Sequence, residues 1–120
     1  IIDHPSYIVV MNRPSLDKFA TKVKAGGCLF INSSLIDVSS ERKDIEQLRV
    51  PANDIAIKHN SPRSANLVML GAFVGRTRIV GVEHLRKFVN KKFGKTKEAD
   101  ELNMRLLEEG LRLGEVPAQA

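Results

Sequence analysis

Apolar residues along the chain change their spacing several times, and each change predicts an element. Tyr7-Ile-Val-Val-Met11 is a short apolar run that closes on Asn12, followed at once by Arg13-Pro14-Ser15, a pattern that predicts a strand and then a helix start. Pro14 suits the first helical turn, where its missing N–H costs nothing, and Leu16, Phe19, Ala20 and Val23 fall at i, i+3, i+4 and i+7. The Gly26-Gly27 pair predicts the stop of that helix. Cys28-Leu-Phe-Ile-Asn-Ser-Ser-Leu35 then predicts a second strand whose nearly unbroken apolar start implies burial on both faces, as in a parallel sheet. The first unit is therefore β-α-β.

From Asp37 to Glu46 the chain is polar and predicts a loop, with a short third strand at Gln47 to Val50 and a short helix from Ala52 to Asn60. His59 lies at the end of that helix, where it is expected to favour the dipole rather than serve as a base. Ala65 to Gly75 is apolar around its whole circumference apart from Asn66, which predicts a helix buried on nearly all sides, with Asn66 a buried polar group that either ties a backbone group or faces a partner surface. Gly71 and Gly75, four apart, would let another backbone approach closely. A further helix is expected from Val82 to Phe93, with Val82, Leu85, Val89 and Phe93 as its apolar stripe. Thr96 begins the last helix, whose stripe is read as Ala99, Leu102, Leu106 and Leu113. Residues 115–120 read as a flexible tail. The expected class is α/β, a three-layer α/β/α arrangement with a mainly parallel sheet.

Composition narrows the functional classes. At 120 residues, 42% apolar and 28% charged, the chain has the makeup of one folded globular domain. Its single cysteine, Cys28, excludes an internal disulfide and a cysteine-ligated cluster within these residues, and reads as a small buried side chain. His4, His59 and His84 are widely spaced and show no metal-binding pattern, so no metal site is expected. No apolar run approaches the roughly 18 to 20 residues that span a bilayer, and a cytoplasmic location is the expectation. The net charge of +5 comes largely from Arg86, Lys87, Lys91, Lys92, Lys95 and Lys97. With 5% aromatics and no Trp, these residues read as a solvated basic face rather than a nucleic-acid site.

Ligands of an open parallel sheet sit beyond the carboxyl ends of its strands. Here those ends offer Asn12, Arg13, Ser33 and Ser34, with Arg13 beside a helix start as a contact for an anionic group, or else these residues cap local structure. The nucleophile elbow, the phosphate loop and the dinucleotide fingerprint are all missing, and no catalytic residue is assigned. Glu108-Glu109, Asp37, Asp44 and Asp54 are carboxylates with no histidine or lysine partner evident in the sequence. On residues alone, the chain is an α/β domain with a candidate anion site. A free-standing small-ligand or nucleotide-binding module is one reading of that.

Four segments in this order carry a further resemblance. Tyr7 to Phe19, Gly26-Gly-Cys-Leu-Phe-Ile-Asn-Ser-Ser34, Val50-Pro-Ala-Asn-Asp-Ile-Ala56 and Ala65-Asn-Leu-Val-Met-Leu-Gly-Ala72 together resemble the gamma subunit of 2-oxoacid:ferredoxin oxidoreductases. Glu101 to Gly110 is similar to the family's C-terminal helix. The resemblance covers residues 1–114 as a partial gamma domain, and implies oxidative decarboxylation of a 2-oxoacid with coenzyme A to acyl-CoA, CO2 and reduced ferredoxin, with 2-oxoglutarate favoured. It implies that thiamine diphosphate, Mg2+ and iron–sulfur clusters sit on alpha, beta and ferredoxin-like subunits, and none on this chain alone. It also implies that Asn12, Arg13, Ser33 and Ser34 meet coenzyme A or a subunit interface. Family members usually begin with a GxGGQG-type strand-to-helix segment, which is not found before Ile1, so the chain reads as lacking its leading strands. An exposed apolar sheet edge at Tyr7 to Met11 or Cys28 to Ile31, prone to self-association, is the corresponding expectation.

Overall fold

The computed structural model describes residues 4–116, and the chain divides near Pro51 into two compact units. Among the described residues there are three strands, β1 (Tyr7–Val10), β2 (Cys28–Asn32) and β3 (Glu46–Val50), and five α-helices: α1 (Arg13–Phe19), α2 (Ala52–Lys58), α3 (Ala65–Thr77), α4 (Val82–Phe93) and α5 (Lys97–Glu115). The expected α/β class with a parallel sheet is what the chain adopts. Residues 117–120 of the stretch read as a tail lie outside the described residues, and Glu115 is the last residue of α5.

The first unit is the parallel sheet in the order β1-β2-β3. Tyr7 stands opposite Cys28, and Cys28 opposite Glu46. All five positions of β2 are buried, as its unbroken apolar run implies. Cys28 is among them, a core residue. Leu29 and Ile31 pack with Val10, Leu16, Ala20, Val23 and Ile36 into one apolar cluster. β1 lies at the sheet edge, with Tyr7 and Val9 about 40% exposed. Of the two expected edge segments only Tyr7 to Met11 lies at an edge, because Cys28 to Ile31 occupy the centre of the sheet.

The end of α1 differs from expectation. α1 stops at Phe19 and continues only as a 3-10 turn to Lys22, so Gly26-Gly27 is not the helix stop. The carbonyls left at this end are taken up by Arg42 of the loop between β2 and β3, whose Nη1 donates to those of Ala20 at 3.1 Å and Val23 at 2.6 Å. Gly26, at φ +84°, instead forms the turn into β2, and a Cβ at Gly27 would overlap the Ser6 carbonyl. The loop between β2 and β3 is irregular, as its polarity predicts, yet it is firmly held. Arg49 donates to the carbonyls of Ile36 at 2.6 Å and Val38 at 2.7 Å, and the Gln47 amide pairs with both backbone groups of Ser40.

The second unit is helical. Seven of the thirteen residues of α3 are buried, in keeping with its all-round apolar sequence. Asn66 is exposed, however, and the expectation of a buried amide fails. It lies about half a turn around the helix from Gly75, so the face that meets α5 carries Asn66 away from the contact. Gly71 and Gly75 do mark a close approach: a Cβ on either would overlap a backbone carbonyl of α5, that of Leu107 or Leu111. The arrangement is reciprocal. A Cβ on Gly110 or Gly114 of α5 would overlap the carbonyl of Val68 or Ala72.

This contact sets which face of α5 is buried. Asn103, Leu106, Leu107, Gly110, Leu111 and Gly114 turn inward, whereas the expected stripe members Ala99, Leu102 and Leu113 are only half-buried. On α4, Leu85 and Val89 are buried but Phe93 is 53% exposed, which corrects the stripe read there. The helix ends at Gly94, and Asn103 closes it by donating to the Phe93 carbonyl at 3.2 Å. Thr96 caps α5 by accepting from the Ala99 N–H at 3.0 Å.

Gly110→Ala is expected to destabilise the chain by about 3 kcal/mol, the upper end of the usual overpacking cost, because the new methyl meets backbone on both sides of its site. Denaturant unfolding checks this. A loss below about 1 kcal/mol would mean that the two helices separate easily.

Candidate functional site

The four residues singled out at the strand ends are brought to one edge of the sheet. Val10 is in register with Ile31, so Asn12 and Arg13 leave β1 beside the point where Ser33 and Ser34 leave β2. Asn32, fully buried, ties the two ends together: its Nδ2 donates to the Met11 carbonyl at 3.2 Å and its Oδ1 accepts from the Ser34 N–H at 3.3 Å. The Ser33 N–H donates to the Val50 carbonyl at 2.9 Å, continuing the ladder. Asn12 is the N-cap of α1, its Oδ1 accepting from the Ser15 N–H at 3.0 Å. Arg13 is exposed and donates to Asp17 one turn on at 3.2 Å. The edge therefore holds one accessible guanidinium and two half-buried serines.

A second cluster lies in the helical unit and joins residues about fifty positions apart. The His59 ring meets Glu109 of α5 through Nε2 at 2.7 Å, and Lys58 Nζ lies 3.2 Å from the same carboxylate oxygen. Beside them Glu108 receives Arg86 of α4 through Nε at 2.7 Å, and Arg86 also pairs with Glu83. Glu108 and Glu109 thus have the basic partners that sequence spacing could not supply. His59 directs its ring to a carboxylate, a stronger acceptor than the helix-end carbonyls it was expected to favour. The hydrogen bond from His59, with help from Lys58, holds the Glu109 carboxyl below its ordinary range against the opposing effect of burial. In the same way Glu108 holds the Arg86 guanidinium more firmly charged.

His59, Met104, Arg105, Glu108, Glu109 and Arg112 line a depression of about 320 Å³. No serine or cysteine is among its lining residues, and a carboxylate kept ionised by two basic neighbours is a poor proton acceptor. The cluster works as a tether between the end of α2 and α5. Among the described residues no three His, Cys, Asp or Glu side chains gather as a metal site, and no helix is long and apolar enough to cross a membrane.

Residues 1–113 match the family model described as pyruvate ferredoxin/flavodoxin oxidoreductase. The chain belongs to that family. A ketoisovalerate oxidoreductase subunit, VorA, of Methanothermobacter thermautotrophicus is 34% identical over 111 residues, which is 91% of this chain and 23% of that protein. The chain thus spans about a quarter of the length of that curated relative. A keto/oxoacid ferredoxin oxidoreductase gamma subunit from Geobacter sulfurreducens has the same fold, with a TM-score of 0.81 at 22% identity over 91% of this chain and 63% of that one. So does a 2-oxoglutarate:ferredoxin oxidoreductase from Magnetococcus marinus with 2-oxoglutarate, coenzyme A and succinyl-CoA bound, with a TM-score of 0.83 at 21% identity, covering 96% of this chain and 20% of that one. The recognition of a gamma-type oxidoreductase domain from its four sequence segments agrees with these findings.

A carboxyl whose pKa is lowered in the fold stabilises it above the ordinary glutamate value, because the unfolded chain binds the proton more readily. Glu109→Gln should therefore cost about 1 kcal/mol at pH 7. The difference from the unaltered chain should shrink as pH falls below about 4 and vanish once Glu109 is protonated in the fold. Urea unfolding at pH 7, 5, 4 and 3 reads this, and a difference independent of pH would remove the ionic tether.

Proposed function

We propose that this chain is the gamma-type domain of a cytoplasmic 2-oxoacid:ferredoxin oxidoreductase. The assembly would convert a 2-oxoacid and coenzyme A to acyl-CoA and CO2 while reducing ferredoxin. The observation that carries this reading is the family match over residues 1–113, joined to 34% identity with a ketoisovalerate oxidoreductase subunit. Thiamine diphosphate, Mg2+ and iron–sulfur clusters would reside on alpha, beta and ferredoxin-like subunits and supply the decarboxylation and electron transfer. This chain, with one cysteine and none of the nucleophile, phosphate-loop or dinucleotide motifs, would contribute binding surface. Family membership favours this over a free-standing nucleotide-binding module. Substrate candidates are 2-oxoglutarate, favoured on the family resemblance, then a branched-chain oxoacid such as the ketoisovalerate named for the curated relative, then the pyruvate named for the family model.

Purification of the native protein from its source should yield it together with thiamine-binding and cluster-binding subunits. The complex should reduce ferredoxin with one of these three oxoacids at a rate well above the other two. Recovery as a lone monomer without 2-oxoacid oxidation would overturn the reading.

At the sheet edge, Arg13 with Ser33 or Ser34 would meet an anionic group of coenzyme A, while Asn12 keeps the start of α1 in place as its cap. The guanidinium suits a phosphate, and its exposed pairing with Asp17 is weak enough to exchange. In the assembled complex, Arg13→Ala with Ser33→Ala should raise KM for coenzyme A about tenfold, equivalent to roughly 1.4 kcal/mol, and leave KM for the 2-oxoacid unchanged. Unchanged coenzyme A affinity would remove this contact.

A further inference from the structure

Helix α4 carries a surface that neither its packing nor the sheet edge explains. Leu85 and Val89 hold it in the core, and Arg86 is consumed by Glu83 and Glu108. Elsewhere on the helix Phe88 stands 51% exposed. Lys91 and Lys92 follow it at i+3 and i+4, which places them around one side of the ring, His84 precedes it at i−4, and Lys95 lies just past the helix end. Lys87, Lys91, Lys92, Lys95 and Lys97 are all exposed, and none has an ion-pair partner among the described residues. Lys91 and Lys92 suit the negative end of the helix, but that does not account for Lys87 or for an aromatic ring in water.

The composition of the patch indicates what kind of partner it fits. A permanent interface would bury these ammonium groups, and lysine is depleted in such interfaces because desolvating it is costly. Nucleic acid would call for more stacking surface than one phenylalanine and for arginine forks, whereas the neighbouring arginine is already taken. Exposed, unpaired lysines around a single apolar anchor fit a transient protein partner, drawn in by charge and released quickly.

We propose that the outward face of α4, centred on Phe88 and its lysines, docks the acidic electron carrier of the reaction through a ring of carboxylates around a small apolar spot. This rests on the oxidoreductase reading above. With a single cysteine these residues hold no cysteine-ligated cluster, so the face orients the carrier while a neighbouring chain supplies the electron.

The test uses the purified complex with Lys87→Glu, Lys91→Glu and Lys92→Glu, assayed with ferredoxin from the same source and with methyl viologen over a series of ionic strengths. At low salt KM for ferredoxin should rise at least about tenfold, its dependence on ionic strength should flatten, and viologen turnover should stay unchanged. Phe88→Ser should raise KM for ferredoxin at every ionic strength. If the triple change disturbs assembly, seen as lost viologen turnover, Lys91→Gln with Lys92→Gln decides in the same assay by a smaller rise in the same direction. An unchanged KM for ferredoxin in the variants overturns the proposal, whether or not the face retains DNA or anionic vesicles. A complex that oxidises a 2-oxoacid with viologen but never reduces ferredoxin overturns it too, leaving the oxidoreductase reading intact. A complex that oxidises no 2-oxoacid with either acceptor overturns that reading and this one together.

Discussion

The helical unit depends on the absence of four side chains. Gly71 and Gly75 on α3 and Gly110 and Gly114 on α5 let the two backbones press against each other, so that each helix presents carbonyls where the other would otherwise carry a Cβ. Such a contact is intolerant of sliding. A shift along either helix would bring a side chain against backbone, and the register of α5 is fixed accordingly. Leu107 and Leu111 then meet Val74, Leu85 and Val89 in one cluster, and the other residues of α5 take up the positions left to them.

That register places the polar ties. Glu108 and Glu109 immediately precede Gly110, so fixing the glycine delivers one carboxylate to Arg86 of α4 and the other to His59 and Lys58 at the end of α2. These pairs are partly exposed, and each is worth little alone. Their role is to select among orientations that the glycine contact and the leucines already make favourable. The same geometry leaves one side of α4 without partners, since its core contacts use Leu85 and Val89 and its one paired cation is Arg86.

The sheet unit is held by a different device. Its apolar cluster secures β1, α1 and β2, but the connection from β2 to β3 has no helix to bury. Two arginines do the work instead. Arg42 spans from the loop to the last carbonyls of the first helical segment and forms a two-pronged pair with Asp44, holding that carboxyl below its ordinary range. Arg49, on β3, gathers the carbonyls of Ile36 and Val38. Charged donors satisfy backbone acceptors that a regular crossover would have paired internally.

What was legible in the sequence is what local spacing encodes. The parallel strands at Tyr7 and Cys28, the helix from Val82 to Phe93, the Thr96 cap and the close approach at Gly71 and Gly75 all follow from period, caps and residue size within a few turns of chain. So does the family, since its segments are contiguous. The rest depended on partners far apart in sequence. Nothing near His59 announces Glu109, nothing near Ala20 announces Arg42, and Asn66 read as buried because its neighbours are apolar, although the glycine face turns it outward. The gathering of Asn12, Arg13, Ser33 and Ser34 at one sheet edge follows from strand order, but the use of Asn12 as a cap and of Asn32 as the tie between strand ends does not. Periodicity specifies which side of an element is apolar. Only the packed chain decides which backbone lies against it, and hence which charges are consumed in pairs and which remain available on the surface.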